Sequence, residues 1–144
     1  ILMSMRYVSL FYVSFATQEM SGDNLEGLLL QCKKNNASRG ITGMLLYRDG
    51  YFIQALEGEE DVVMDLFRKI ERDTRHSNVI IAHKESITER SFDEWSMGYK
   101  NISGVDLSKY PEYRDYEEFS PEYFVNNPSR DVSLLNSFYD EINF

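Results

Sequence analysis

An Asp-Gly pair at positions 49 and 50 separates two runs of mostly apolar residues. Both central residues of a tight type I′ turn need positive φ, and an Asp-Gly pair adopts such angles readily. Asp49 and Gly50 therefore predict a β-hairpin, whose strands cover Thr42–Arg48 and residues 51–57. Gly58 is expected to break the second strand. This hairpin is the strongest constraint on the fold, because it commits both runs to neighbouring positions in one sheet.

Apolar periodicity predicts three more strands and two helices around the hairpin. Alternation predicts strands at residues 6–15, 78–83 and 95–99. Helical spacing predicts one helix over residues 21–36, with Ser21 as its N-cap and Gly40 as its end, and a second over residues 62–73. The resulting order, βαββαββ, is that of a ferredoxin-like α+β fold with one added strand. Both helices are expected on the same face of the sheet.

Length and composition divide the chain into a domain and an extension. A chain of 144 residues has the size of one domain, here assigned to residues 6–100. Residues 104–144 form the extension, which contains nine acidic and three basic residues together with five Tyr and four Phe. Helices are predicted to begin at Ser120 and at Ser129. We expect this helical extension to cover the second face of the sheet, where the first and third strands also carry apolar residues.

The charge and cysteine content argue against several classes of function. A net charge of −9 and a pI near 4.7 disfavour nucleic acid or an anionic membrane surface as the main partner. The single cysteine, Cys32, cannot form an intramolecular disulfide, which fits a reducing, cytoplasmic setting. No run of eighteen apolar residues predicts a transmembrane helix. Residues 1–5 lack the pattern of a signal peptide, so we expect no leader.

Two polar side chains fall within predicted strands and need an explanation. Gln54 shares a strand face with apolar residues and is expected to be buried, where an unpaired amide would cost a few kcal/mol. Tyr12 likewise lies in the middle of the first strand. Periodicity alone favours a structural interpretation, in which the two side chains satisfy each other or the backbone.

Other candidates also allow two interpretations each. Asn35 and Asn36 either cap the first helix or pair with a ligand edge that presents an acceptor beside a donor. Trp95 and Met97 share a face of the last strand, where they are either core or a wall beside an aromatic ligand. Asp73, Arg75 and His76 are explained by the end of the second helix. No zinc, P-loop, dinucleotide or serine-hydrolase motif is present, so we expect no enzymatic activity.

Five stretches of the sequence, taken together, resemble the BLUF family of flavin-binding blue-light sensors. They occur in the family's order over about residues 6–100, with similar spacing. They are Leu10-Phe11-Tyr12, Asn35-Asn36 followed by residues 40–47, residues 52–58, residues 73–76 and residues 90–97. The extension from Gly104 carries no comparable motif.

The resemblance implies a flavin between the two helices and a role for each candidate. Tyr12 would give an electron and then a proton to the excited flavin, and Gln54 would bridge Tyr12 and the flavin as a hydrogen-bond switch. Trp95 and Met97 would relay the change to the sheet and the extension, with either of them facing the flavin. The resemblance further implies flavin contacts from the two helices and the turn after the second, at Asn36, Asn35, Cys32, Lys69, Ile70 and Asp73. FAD is the expected flavin, with FMN and riboflavin as alternatives.

Three functions are compatible with these residues. The leading hypothesis is a light sensor that signals through its extension or through a protein partner. The second is a small flavoenzyme that uses the same pocket for redox chemistry, and the third is a ligand-free interaction module. In each case we expect a homo-oligomer, a dimer or a larger ring, because the aromatic extension and the second sheet face offer much apolar surface.

Overall fold

The computed structural model describes residues 6–18, 22–92 and 97–104, which form five strands and two helices. These elements follow one another in the predicted order. They are β1 (Tyr7–Ala16), α1 (Gly22–Arg39), β2 (Thr42–Arg48), β3 (Tyr51–Glu59), α2 (Glu60–Glu71), β4 (His76–Ser86) and β5 (Gly98–Asn101). Among the described residues, no helix combines the length and the apolar character needed to cross a membrane.

The hairpin forms as its turn chemistry predicts. Asp49 has a φ of 45° and Gly50 a φ of 97°, so both central residues of the turn lie in the left-handed region. The antiparallel ladder then runs from Arg48 opposite Tyr51 to Thr42 opposite Glu57. This register places the Gln54 backbone opposite Leu45 and fixes which face of β3 each side chain occupies.

The sheet has the strand order β4-β1-β3-β2-β5. β1 pairs in antiparallel fashion with both β3 and β4, whereas β5 pairs in parallel with β2. The ferredoxin-like α+β architecture is confirmed. In the ladder between β1 and β3, Tyr12 lies directly opposite Gln54, so the two polar positions are cross-strand neighbours at the centre of the sheet.

Both helices pack on one face of the sheet, as predicted. One apolar cluster joins Leu25 of α1 and Val63 and Phe67 of α2 to the even-numbered positions of β1 and β3. The opposite face of the sheet is also buried, at Phe11, Val13, Met44, Leu46, Ile53 and Ala55. The helical extension predicted to cover that face, residues 104–144 with helix starts at Ser120 and Ser129, lies outside the described residues except for Gly104.

Gly58 does not break β3, which continues to Glu59. Packing around the glycine is tight instead. A Cβ at Gly58 would lie 3.3 Å from the carbonyl oxygen of Gly40 and 3.4 Å from side-chain atoms of Ile41 and Val63. The strand therefore passes close beneath the end of α1 and the start of α2.

Other boundaries also differ from the prediction. α1 continues to Arg39, and β4 covers His76–Ser86 rather than residues 78–83. β4 is an edge strand with largely exposed side chains, and its length is set by backbone pairing with β1, which hydrophobic alternation does not reveal. β5 begins at Gly98 rather than at position 95, and the Ser21 cap and Trp95 lie outside the described residues.

Gly43→Ala is expected to destabilise the sheet. A Cβ at this position would lie 2.0 Å from the carbonyl oxygen of Ala55, so the β3 backbone would have to move. We expect the free energy of unfolding to fall by about 1–3 kcal/mol, as for other overpacked sites. Urea denaturation followed by circular dichroism measures the change.

Gly27→Ala is the matched control for this substitution. Gly27 lies within α1, and a Cβ there would meet no atom within 4 Å. Alanine should raise the free energy of unfolding by about 0.5–1 kcal/mol, because it loses less backbone entropy than glycine in a helix. An unchanged stability of Gly43→Ala would contradict the close approach of β2 and β3.

Candidate functional site

A cavity of about 250 Å³ lies between the two helices and the helix-bearing face of the sheet. Side chains from β1, α1, β2, β3, α2 and the start of β4 line it. Its apolar wall is formed by Leu28, Leu45, Phe52, Leu66 and Ile70. Its polar groups lie at two places, on the strands that form its base and at the ends of the two helices. This distribution suits a ligand that consists of a flat ring with one polar edge and a charged tail.

Most of the residues predicted from the sequence meet at this cavity. Its lining includes Tyr12, Cys32, Asn35, Asn36, Gln54, Lys69, Ile70 and Asp73. Met97 lies beside it and contacts Gln54, whereas Trp95 lies outside the described residues.

Tyr12, Gln54 and Met97 form a continuous row of polar contacts beneath the cavity. The Tyr12 hydroxyl donates a hydrogen bond to Oε1 of Gln54, and Nε2 of Gln54 donates to Sδ of Met97 at 3.4 Å. All three residues are at most 3% exposed. The Gln54 amide thus has its acceptor end on the phenol and its donor end on the thioether.

Burial strongly disfavours ionisation of the Tyr12 hydroxyl. Loss of solvation raises the pKa of Tyr12 well above its usual value, and Cys32 and Asp73 add smaller effects in the same direction. The phenol therefore remains neutral at physiological pH and can donate its hydrogen bond to Gln54. The ring of Phe67 packs edge-on against Tyr12 at 5.5 Å and holds the phenol in place.

His76 is a cavity residue that the sequence did not reveal as one. Its Nε2 donates to the carbonyl oxygen of Ile70 at the end of α2. His76 therefore interacts with the end of the second helix, as expected from the sequence. Since a carbonyl only accepts, Nε2 carries a proton in this contact, and Nδ1 lies within hydrogen-bond distance of the Ser14 hydroxyl at 2.9 Å. The ring also lies edge-on to Tyr12 and Phe52.

Asp73 is held by Arg75. The guanidinium Nε of Arg75 lies 2.9 Å from Oδ1 of Asp73, and the Arg75 backbone N–H donates to the same oxygen at 2.9 Å. These hydrogen bonds hold the pKa of Asp73 below its usual value despite partial burial. Asp73 therefore remains ionised at neutral pH and orients Arg75, whose side chain also lines the cavity.

Two further cations line the cavity. Nζ of Lys69 and Nη1 of Arg39 lie 3.6 Å and 3.4 Å from the same Asp65 oxygen. With Arg75, the cavity has three cationic side chains from the end of α1, the end of α2 and the turn before β4. Sequence reasoning identified only Lys69, because the three meet only after both helices have packed on the sheet.

Cys32 is a protonated thiol at this site. Burial raises the pKa of Cys32 from 9.0 to about 11, and the nearby Arg75 offsets only part of that effect. A thiol of this kind is a poor nucleophile at neutral pH, because the thiolate is the reactive form. Among the residues that the structure describes, no group of three or more His, Cys, Asp or Glu could hold a metal ion.

The chain is similar to a family of light sensors and to parts of larger light-activated proteins. The family model described as BLUF, sensors of blue-light using FAD, matches residues 7–98. The chain is 40% identical over 108 residues to photoactivated adenylate cyclase subunit beta of Euglena longa, and 38% identical over 108 residues to that of Euglena gracilis. Each match covers 74% of this chain and 12% of the relative, so the chain spans only a small part of these proteins.

Solved structures share the fold over most of the chain. The ground state of BlsA gives a TM-score of 0.77 at 32% identity, covering 90% of this chain and 85% of that one. The dark-state structure of BlrB, a BLUF protein, gives 0.69 at 30% identity, with 90% and 97% covered. A bacterial light-regulated adenylyl cyclase gives 0.65 at 29% identity, but only 36% of its chain is covered.

The alkylation rate of Cys32 should depend on pH over an unusually wide range. In the folded protein we expect the rate with iodoacetamide to rise about tenfold per pH unit between about pH 7 and 10, without a plateau near pH 9, because the thiolate fraction controls the rate. The chain unfolded in urea is the control. Its rate should level off near pH 9 and exceed the folded rate at pH 8 by roughly a hundredfold, the ratio that two pKa units give. A plateau near pH 9 in the folded protein would refute the raised pKa.

Proposed function

Because the chain belongs to the BLUF family of blue-light sensors that use FAD, we propose that its cavity binds a flavin whose excitation switches the hydrogen bonds of Gln54. The family is one of sensors, and the residues that match its model, 7–98, are a sensor module and not an enzyme. The observation that carries the proposal is the buried row from Tyr12 through Gln54 to Met97 at the cavity floor.

The residues around the cavity fit a flavin. Its apolar wall suits the faces of a flat aromatic ring, and Gln54 and Asn36 supply polar groups at the ring's edge. Asn36 is 2% exposed and lies near the end of α1. We propose that Asn36 pairs with the uracil-like edge, with Asn35 beside it.

FAD is the flavin that we propose for this site. Arg39, Lys69 and Arg75 come from the cavity lining, and the Lys69 side chain remains 57% exposed. Cations at such a position suit phosphate groups, which FMN and FAD carry and riboflavin lacks. Asp73 supports this assignment indirectly by holding Arg75, and Ile70 and Cys32 complete the contacts on the two helices.

A bound flavin supplies absorption of blue light and an excited state that accepts an electron. Tyr12 is the proposed donor, since its phenol is hydrogen-bonded and buried beside the cavity. A phenol that loses an electron becomes strongly acidic, and Oε1 of Gln54 already accepts the hydrogen bond of its hydroxyl. The hydroxyl proton of Tyr12 can therefore move along this hydrogen bond towards Gln54 without a large movement of either side chain.

Gln54 is the proposed two-state element. In the structure its Oε1 accepts from Tyr12 and its Nε2 donates to Met97. Rotation of the amide, or tautomerisation, would present a donor to the Tyr12 oxygen and an acceptor to Met97. A thioether cannot donate a hydrogen bond, so the contact with Met97 would weaken in the second state.

Met97 is the residue that we propose transmits the change at Gln54 to β5. It precedes β5, whose Gly98 pairs with Met44 of β2 in a parallel ladder. A weakened contact between Gln54 and Met97 would free the start of β5, with Trp95 as the proposed second relay residue. We propose that the change passes through β5 and the extension, residues 104–144, to a protein partner, and that the chain acts as a homo-oligomer.

Gln54→Leu and Tyr12→Phe test the proposed switch. Each variant should remain yellow with flavin bound, but the reversible red shift of the flavin band under blue light should be absent, because each substitution removes the hydrogen bond between Tyr12 and Gln54. Tyr47→Phe is the matched control, since Tyr47 is a buried tyrosine on the same sheet face but lies outside the row. A red shift that survives in Gln54→Leu or Tyr12→Phe would refute the assigned roles, and a colourless wild-type protein that takes up no added flavin would refute flavin binding.

Asn36→Ala tests the proposed recognition of the flavin edge. Loss of a buried hydrogen-bonding amide should weaken flavin binding by roughly tenfold, which fluorescence quenching during titration measures. Asn35→Ala should have a smaller effect, because the Asn35 side chain is exposed. Equal losses in the two variants would contradict the assignment of the edge to Asn36.

A further inference from the structure

Glu57 is a buried carboxylate on the face of β3 that points away from the cavity. It is 1% exposed and lies three residues after Gln54, so strand alternation places the two side chains on opposite faces. Its oxygens accept hydrogen bonds from the backbone N–H groups of Ser91 at 2.7 Å and Phe92 at 2.9 Å. The Thr42 hydroxyl donates to it at 3.2 Å.

Arg90 strengthens the attachment of the same segment to the sheet. Its Nη1 donates to the Thr42 hydroxyl at 2.9 Å and to the backbone carbonyl of Glu57 at 3.1 Å. Its guanidinium also lies 5.2 Å from the centre of the Tyr7 ring. Residues 90–92 are therefore fixed to β1, β2 and β3 through side-chain contacts, although they belong to no strand.

Residues 90–92 lead towards Met97, which is the acceptor for the Nε2 hydrogen bond of Gln54. β3 thus holds this part of the chain at two points, at Glu57 and at Gln54. The two holding residues are about 10 Å apart along the strand. Phe92 and Met97 are five peptide units apart and can be separated by at most about 17 Å, so fixing Phe92 keeps Met97 within that distance of it.

We propose that Glu57 is a positioning residue for the light switch, because it fixes the segment that presents Met97 to Gln54 and thereby sets the lifetime of the lit state. The inference rests on the proposed function. A loosely held Met97 sulfur would be a less available acceptor for Gln54 Nε2, so the dark arrangement would re-form more slowly after illumination. Glu57 itself does not line the cavity and is not expected to contact the flavin.

Glu57→Gln is the direct test. The amide keeps one acceptor oxygen but places an NH₂ group towards two backbone N–H donors, so at least one of the present hydrogen bonds is lost. The variant should bind flavin and show the red shift, and its return to the dark spectrum should be slower by roughly threefold or more. Amide hydrogen exchange at Ser91 and Phe92 should become faster. Glu59→Gln, at the end of the same strand, is the matched control and should recover at the wild-type rate.

A double-mutant cycle with Met97→Ala separates positioning from a general structural effect. In the Met97→Ala background, the recovery rate is taken from the spectral change that this variant itself shows under blue light. If Glu57 acts through Met97, then Glu57→Gln should change the recovery rate little in the Met97→Ala background, and the two effects should be non-additive. Equal slowing by Glu57→Gln in both backgrounds, or no slowing in the wild-type background, would overturn the proposal.

Thr42→Val provides a second route if Glu57→Gln does not fold. It removes the hydroxyl that connects Arg90 to the Glu57 carboxylate while keeping the shape of the side chain. Recovery should be slowed in the same direction by a smaller factor, and unchanged recovery would overturn the proposal. A wild-type red shift with unaffected variants refutes only the role of Glu57, whereas the absence of a red shift in the wild-type protein refutes the proposed function itself.

Discussion

The hydrogen bond between Tyr12 and Gln54 constrains most of the structure around it. Both side chains lie at the centre of the sheet at 3% exposure, where an unpaired hydroxyl or amide would be costly. They can pair only if β1 and β3 keep the register that sets them opposite each other. A slip of one residue in either strand would send one of them to the other face and leave both without this partner. The contact therefore links the register of the sheet to the chemistry of the cavity.

β3 connects the two sides of the sheet through this register. On the cavity side, Gln54 joins Tyr12 to Met97. On the other side, Glu57 holds the backbone of Ser91 and Phe92. One strand thus carries both the candidate switch and the attachment of the segment that leads to it. Under the proposed function, a change at the Gln54 amide would act on a segment that Glu57 holds in place, so a small rearrangement could have an effect outside the cavity.

Much of the fold could be predicted from the sequence because it depends on local signals. The Asp49-Gly50 turn, the order of the elements and the shared face of the two helices follow from turn chemistry and periodicity, and the structure confirms them. The errors have a common cause. Gly58 and the ends of β4 are determined by what lies next to them in space, namely the end of α1 for Gly58 and the β1 backbone for β4. Neither neighbour can be identified from the local sequence.

The sequence by itself determined the candidate residues of the site, since motifs shared with a family of sensors identify Tyr12, Gln54 and Asn36. Only the tertiary structure decided how these residues meet. It placed Oε1 of Gln54 on Tyr12 and Nε2 on Met97, added Arg39, Arg75 and His76 to the cavity, and set Glu57 against the backbone of Phe92 on the opposite face. The hydrogen bonds among these residues join positions that are 34 to 43 apart in the chain. The residues that line the cavity likewise come from different helices and strands. Hydrogen-bond direction and burial come from packing, which sequence periodicity does not specify.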